Sequence, residues 1–312
     1  MSNIFNYFDN VILAAAVEQA TKERIFDKDK LNELFNTQYS EAYKMAKKGN
    51  IIYRGSRVYD YSEKMLGLIY TPKERVSENT SNVYTKLLSD IFKSWQKFPK
   101  RNKSVIASFD INKAAGYAED QGLGLYVVLP KNGATIGICP ESDIFDSFTN
   151  FPMHVYNAGD FNETLIFVLY AFLKIDEEHI EKIFKSSNEN VLNIFNQFDK
   201  QFELLINEAF FKKNIKTDDK DLIHKFFYNK FENIFNKRAH NLVKDYINFY
   251  ISKNRQSSLL EFLEIKYFNP VKEKFKIQKI KNLVTNNYSE VWFEGSCVLI
   301  PLKIWETLNH DF

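Results

Sequence analysis

The stretch Ile51-Ile52-Tyr53-Arg54-Gly55-Ser56 places an arginine at the end of an apolar run and follows it at once with glycine. Two β-branched residues and a tyrosine predict a short buried strand. A glycine beside the arginine lets a ligand approach the backbone closely. We therefore interpret this stretch as a binding strand centred on Arg54. A strand that ends in a surface arginine is the alternative that so short a pattern leaves open.

Length and composition indicate a folded chain, and its charge balance gives no sign of a nucleic-acid partner. The 312 residues are enough for one large domain or two small ones. Lys and Arg total 42 against 40 for Asp and Glu, so the formal charge of +2 gives no nucleic-acid footprint. The 29 Phe and 17 Tyr, with only 10 Gly and 7 Pro, favour long helices and an aromatic core.

The cysteines and histidines argue against a metal centre. Cys139 and Cys297 are the only cysteines and form no close pair, which disfavours a metal cluster or disulfide framework and fits a reducing cytoplasm. The five histidines show no metal-ligand spacing. No run approaches ~18 apolar residues, so we expect a cytoplasmic protein that is neither secreted nor anchored in a membrane.

The first part of the chain alternates predicted helices and strands. Apolar spacing predicts helices over 10–24 and 28–48, followed by an amphipathic helix over 82–97. The run 104–110 predicts a strand that leads into a short helix with a small-residue face, which Asp110 or Asn112 can cap.

Two further strand-like runs, 125–130 and 134–140, flank Lys131-Asn132-Gly133. Because Asn-Gly is a strong signal for a tight turn between paired strands, these runs predict a β-hairpin.

Residues 160–268 predict a helical bundle. This region has almost no Gly or Pro, and its apolar residues recur at helical spacing. One stripe consists of Val191, Ile194, Phe195, Phe198, Phe202 and Leu205. Such a stripe is typical of a core, so we expect a bundle inserted into a sheet domain.

After Pro270 the pattern returns to strands. A strand begins near 275–277, and residues 286–301 predict a turn, a strand, a tight turn at Glu294-Gly295 and another strand. The chain is thus predicted to be α+β. Its expected parts are an N-terminal helical leader (1–50), two halves of a sheet domain (51–159 and 269–312) and the inserted bundle (160–268).

Three features together resemble the ADP-ribosyltransferases of the arginine-serine-glutamate type. Tyr53-Arg54-Gly55 lies on an early strand, Ser108-Phe109-Asp110 ends a second strand that leads into a helix, and Glu290-Val291 opens a late strand after a polar loop. The resemblance covers about 51–148 and 283–301. It implies a split, mixed β-sheet core that binds NAD as its substrate and uses no metal.

The resemblance also assigns roles. Glu290 would be the catalytic carboxylate that offsets positive charge on the ribose, and Arg54 would hold the NAD phosphates with its guanidinium fork. Ser108 would hold the carboxylate or the ribose. Backbone groups beside Tyr53 and Gly55 would bind the nicotinamide amide, and an aromatic residue of the adjoining helix, such as Tyr117, would stack on its ring.

Asn287 and Tyr288 would form the loop that meets the acceptor, for which we expect a protein rather than a nucleic acid. The family often has Glu or Gln where this chain has Tyr288, so the acceptor side chain stays open. The family's first serine falls on Ile106. Glu294 and Arg57 are rivals to the catalytic glutamate and the arginine.

The resemblance implies a transferase of the kind that bacteriophages and bacterial toxins deploy in a host cytoplasm. Two alternatives remain open at this point. One is a non-catalytic interaction module on the same fold, in which the helical bundle provides the binding surface. The other is an NAD glycohydrolase without an acceptor.

Overall fold

The computed structural model describes residues 20–56, 64–73, 82–118, 124–212, 215–216, 219–286 and 288–310. The chain forms two compact units. The first comprises Met1–Thr80, Trp95–Ser147 and Pro270–Phe312, and the second comprises Ser81–Ser94 and Phe148–Asn269.

A nine-stranded sheet with the order β1-β3-β9-β5-β2-β4-β8-β6-β7 forms the centre of the first unit. The strands are β1 (Ala20–Ile25), β2 (Tyr53–Gly55), β3 (Gly67–Pro72), β4 (Ser104–Ser108), β5 (Leu125–Pro130), β6 (Thr135–Ile138), β7 (Lys276–Lys279), β8 (Glu290–Glu294) and β9 (Cys297–Pro301). Every strand pair in the described residues is antiparallel, so the mixed sheet expected from the resemblance is wrong. The prediction that helices combine with one sheet is confirmed.

Eleven α-helices lie in the described part of the chain. They are α1 (Lys28–Asn36), α2 (Ser40–Lys47), α3 (Val83–Lys86), α4 (Ile111–Ala115), α5 (Ala158–Leu173), α6 (Glu177–Phe184), α7 (Asn188–Asn207), α8 (Lys220–Phe231), α9 (Lys237–Ser252), α10 (Leu259–Lys266) and α11 (Leu302–His310). Asp110 caps α4 as predicted, since its carboxylate accepts the Asn112 N–H at 2.8 Å.

Asn132 explains two errors of the sequence interpretation. Its backbone N–H donates to the Gln38 carbonyl at 2.8 Å, and its side-chain amide donates to the Thr37 carbonyl at 2.6 Å. These bonds stabilise a break between α1 and α2, where one helix was predicted. The chain after β5 is therefore held at the α1–α2 loop. β5 pairs with β2 and β9 while β6 pairs with β7 and β8, so the predicted hairpin is also wrong.

Two other predicted helices differ from the structure. Most of the helix expected over 10–24 lies outside the described residues, but its last five positions belong to β1, which pairs with β3 along six residues. The helix expected over 82–97 is replaced by α3, a π-helical turn at Leu87–Ile91 and a 3-10 turn at Lys93–Trp95.

The second unit contains helices α5 to α10 and a dense aromatic core. The predicted stripe on α7 is confirmed at five of its six positions, since Val191, Ile194, Phe195, Phe198 and Phe202 are buried, whereas Leu205 is only partly buried. Phe198 and Phe202 each contact the rings of Phe172 and Tyr246 and also contact each other, at centroid distances of 4.5 to 6.2 Å. The helical spacing of apolar residues in the sequence therefore predicts much of the core of this unit.

Gly55 allows α4 to lie directly against β2. A Cβ at this position would stand 1.9 Å from the Ala114 carbonyl oxygen. We expect Gly55→Ala to lower the free energy of unfolding by about 1–3 kcal/mol, the usual cost of overpacking. Urea unfolding followed by tryptophan fluorescence measures this change, because Trp95, Trp292 and Trp305 all belong to the first unit.

Gly67→Ala is the matched control on another strand of the same sheet. A Cβ at Gly67 meets its nearest neighbours at 3.5 Å, an ordinary contact distance. This variant should lose little stability, and equal losses in the two variants would contradict the steric explanation.

Candidate functional site

The pairing of β4 with β8 brings two of the predicted site residues together. Ser108 lies directly opposite Glu290 at the end of the ladder, and both are buried. The Ser108 hydroxyl accepts the Asp110 N–H at 3.0 Å and points to the Ser289 carbonyl at 3.5 Å. Ser108 therefore links the start of α4 to the residue that precedes Glu290.

Glu290 is one partner of a buried ion pair. The Arg101 guanidinium lies 2.7 Å from its Oε1, and the side chains of the two residues are 9% and 10% exposed. The Cys139 thiol donates to the same oxygen at 3.6 Å. Burying a carboxylate is costly unless it is paired and hydrogen-bonded, and these neighbours meet that need.

The arginine of this pair is held from its other side. Its Cζ lies 5.7 Å from the centroid of the Trp292 ring, and the ring's Nε1–H donates to the Pro99 carbonyl at 2.8 Å. A Cβ on Gly137 would overlap this ring at 2.4 Å, so the glycine provides the space that the ring occupies. Arg101 is thus confined between an aromatic ring and a carboxylate.

The chain around Cys139 fixes the backbone of Glu290. The Cys139 N–H donates to the Glu290 carbonyl at 2.9 Å, and the Glu290 N–H donates to the Glu141 carbonyl at 3.2 Å. The Ser289 hydroxyl donates to the Cys139 carbonyl at 2.7 Å. Burial, and then the negative charge of Glu290, raise the pKa of the Cys139 thiol well above its usual value. The thiol therefore stays protonated and acts as a donor.

Tyr117, which follows α4, adds an aromatic ring and a second carboxylate to the site. Its hydroxyl lies 3.5 Å from Oδ2 of Asp143, which is 3.8 Å from the Lys113 Nζ. Burial, followed by the charges of Asp143 and Glu290, raises the pKa of Tyr117 to about 12. About half of the Tyr117 surface remains exposed.

Strand alternation separates Arg54 from Tyr53 and Gly55. Gly55 faces α4, so Arg54 points to the opposite face of β2. Its Nη1 donates to the Ile106 carbonyl at 2.5 Å, and its Cζ lies 5.6 Å from the centroid of the Tyr70 ring. The close approach that Gly55 permits is made by α4. Tyr53 pairs with Ser108, which is the single backbone pairing of β2 with β4 in the described residues.

The predicted acceptor loop is described in part. Asn287 lies outside the described residues, and Tyr288 is about half exposed. Asn286 donates to the Ser289 hydroxyl at 2.6 Å and so supports the start of β8. The rival Glu294 is exposed at the far end of this strand, where it accepts the Lys100 N–H. Arg57 also lies outside the described residues.

Sequence reasoning missed Arg101, Cys139 and Asp143. In the sequence, Arg101 belongs to a small basic cluster, Lys100-Arg101-Asn102-Lys103, that follows Pro99. An arginine three residues before a predicted strand was the available signal. Its partner is 189 positions away, however, and no local pattern identifies such a pair.

Within the described residues, no three His, Cys, Asp or Glu side chains are grouped to hold a metal ion, and no helix is long and apolar enough to cross a bilayer. No protein-family model, curated protein or solved structure matches the chain. The geometry of the site is therefore the basis for the function proposed below.

The Arg101–Glu290 pair makes a testable prediction for stability. Arg101→Met leaves a buried carboxylate without its cation, which should cost about 3–5 kcal/mol of unfolding free energy. The double variant Arg101→Met/Glu290→Gln removes both charges and should recover most of that loss. The cycle compares the wild type, Arg101→Met, Glu290→Gln and the double variant. Urea unfolding of these four proteins, followed by tryptophan fluorescence, gives the coupling energy.

Lys30→Met is the control for this cycle. It breaks the ion pair with Glu23, whose partners are 43% and 59% exposed, and exposed pairs contribute little. Additive losses in the double variant at Arg101 and Glu290 would show that the two charges do not depend on each other.

Proposed function

We propose that this chain is an NAD-dependent ADP-ribosyltransferase, which moves ADP-ribose from NAD to a macromolecular acceptor and releases nicotinamide. The observation that carries the proposal is the position of Glu290, a buried carboxylate directly opposite Ser108 on neighbouring strands. This juxtaposition supports the serine and glutamate assignments that the sequence suggested.

The reaction requires a negative charge beside the ribose. The bond between C1′ and the nicotinamide nitrogen breaks, nicotinamide leaves with the electron pair, and C1′ becomes cationic. An acceptor nucleophile then bonds to C1′ and loses a proton. A fixed carboxylate stabilises the cationic centre, and it acts more strongly where water is excluded. Glu290 is our candidate for this carboxylate.

The neighbours of Glu290 fit supporting roles. Ser108 contacts the carbonyl of Ser289 and so positions the start of β8. Tyr117 presents a half-exposed ring that is suited to stacking on nicotinamide. Since its pKa is about 12, the phenol remains neutral at physiological pH.

We assign the NAD phosphates to Arg54, in keeping with the resemblance. Its guanidinium contacts a backbone carbonyl and an aromatic face, among other partners. Phosphate oxygens bind a guanidinium more strongly than a neutral carbonyl does. The assignment requires the diphosphate to pass the end of β2, because Arg54 lies on the face opposite Tyr53.

The biological setting is also part of the proposal. We place the enzyme in the cytoplasm and, by the resemblance alone, among the effectors that phages and toxins deliver to a host. The formal charge of +2 offers no general attraction for nucleic acid, which favours a protein acceptor.

Glu290→Gln tests the proposed function. The substitution keeps the size of the side chain and removes its charge, so turnover should fall by a factor of ~10²–10³, the usual effect of losing one preorganised electrostatic partner. NAD affinity should change little, because the interaction strengthens in the transition state. Chromatographic detection of released nicotinamide gives the rate, and calorimetric titration gives the affinity.

Glu294→Gln is the matched control, since it makes the same chemical change at the exposed end of β8. It should release nicotinamide at the wild-type rate. Circular dichroism establishes that both variants are folded. Wild-type turnover in folded Glu290→Gln would refute the catalytic assignment, and a large loss at Glu294 would move the site to the other end of the strand.

A further inference from the structure

Arg101, the ion-pair partner of Glu290, suggests a role beyond those proposed for Ser108 and Arg54. Arg101 occupies a 3-10 turn, Arg101–Lys103, that leads directly into β4. The strand that carries Ser108 therefore begins next to the residue that pairs with Glu290. Both partners of this pair are buried, and their closest atoms are 2.7 Å apart.

Few conformations are open to the Arg101 side chain. The guanidinium lies over the Trp292 ring, which is held by its bond to Pro99 and by the space at Gly137. A planar guanidinium held in this way acts as a fixed donor rather than a mobile surface charge. The position of Arg101 thus limits where the Glu290 carboxylate can lie.

The ion pair also bears on the charge of Glu290. Burial favours the protonated form of a carboxylic acid, whereas a neighbouring cation favours the carboxylate. Other titratable groups near Glu290 include Cys139, Tyr117 and Asp143, and Asp143 is paired with Lys113. The first two are neutral at pH 7 and the third is acidic, so Arg101 is the cation in direct contact.

We propose that Arg101 is a positioning residue that keeps Glu290 ionised and holds its carboxylate in the orientation used for catalysis. This proposal rests on the proposed function. A partner cation weakens the negative potential that Glu290 offers to the ribose. Protonation would remove that charge altogether, so the paired carboxylate is the more effective group at neutral pH.

The test compares pH–rate profiles for nicotinamide release from NAD. In Arg101→Met the acid limb should move to higher pH by about 1–3 pH units, because the opposing charge is lost. Turnover should then fall below the wild-type value at pH values near the shifted limb and recover at higher pH. Lys103→Met, an exposed position two residues further on, should keep the wild-type profile.

Arg101→Lys keeps the charge and provides a second variant if Arg101→Met does not fold. Its acid limb should stay within about one pH unit of the wild type, since the neighbouring cation is retained. An unchanged acid limb in folded Arg101→Met would overturn the proposal. So would a weaker affinity for NAD with no change in the pH profile, which would make Arg101 a phosphate ligand.

A measurement without NAD separates this proposal from the proposed function. Carbon-13 NMR of glutamate carboxyl groups follows the ionisation of Glu290, whose signal is the one missing in Glu290→Gln. If the wild type releases no nicotinamide, the proposed function fails. The NMR titration then still tests whether Glu290 ionises at higher pH in Arg101→Met than in the wild type, and equal titration would refute the role of Arg101.

Discussion

The antiparallel ladder between β4 and β8 is the interaction on which the candidate site depends. Its register runs through five consecutive residue pairs, from Ser104 opposite Glu294 to Ser108 opposite Glu290. A shift of one residue would turn Glu290 toward the apolar core that Val291 and Phe293 now fill. Burial of these core residues therefore fixes the face on which the carboxylate emerges. The serine, the glutamate and the arginine that leads into β4 all take their positions from this register.

A buried ion pair such as Arg101–Glu290 contributes little net stability, which is consistent with the positioning role proposed for Arg101. Two buried charges must both be desolvated, and apolar residues of similar size are often as stabilising as such a pair. In this chain the neutral Cys139 thiol also contacts the carboxylate, and the Trp292 ring contacts the guanidinium. Perturbed ionisable groups gather at functional sites. The Cys139 thiol contacts this carboxylate, whose charge also acts on Tyr117, and the pKa values of both groups are raised.

Local patterns in the sequence predicted the strands around Arg54, Ser108 and Glu290, the Asp110 cap and the aromatic stripe of α7, because each depends on neighbouring residues. Errors occurred where distant contacts decide the structure. Asn132 binds the loop between α1 and α2 rather than closing a hairpin, and Arg101 finds its partner across the β4–β8 ladder. Arg54 and Tyr53 are neighbours on β2, so their side chains point to opposite faces of the sheet. The resemblance alone did not indicate this separation.

The most direct test of the account is a crystal structure with an NAD analogue whose nicotinamide–ribose bond cannot be cleaved. We predict that the ribose 2′-hydroxyl lies within hydrogen-bonding distance of the Glu290 carboxylate, about 2.5–3.0 Å between oxygens. The nicotinamide ring should stack on Tyr117. An analogue that binds elsewhere on the chain, or none bound at concentrations that saturate NAD enzymes, would contradict the claim that Glu290 belongs to an NAD site.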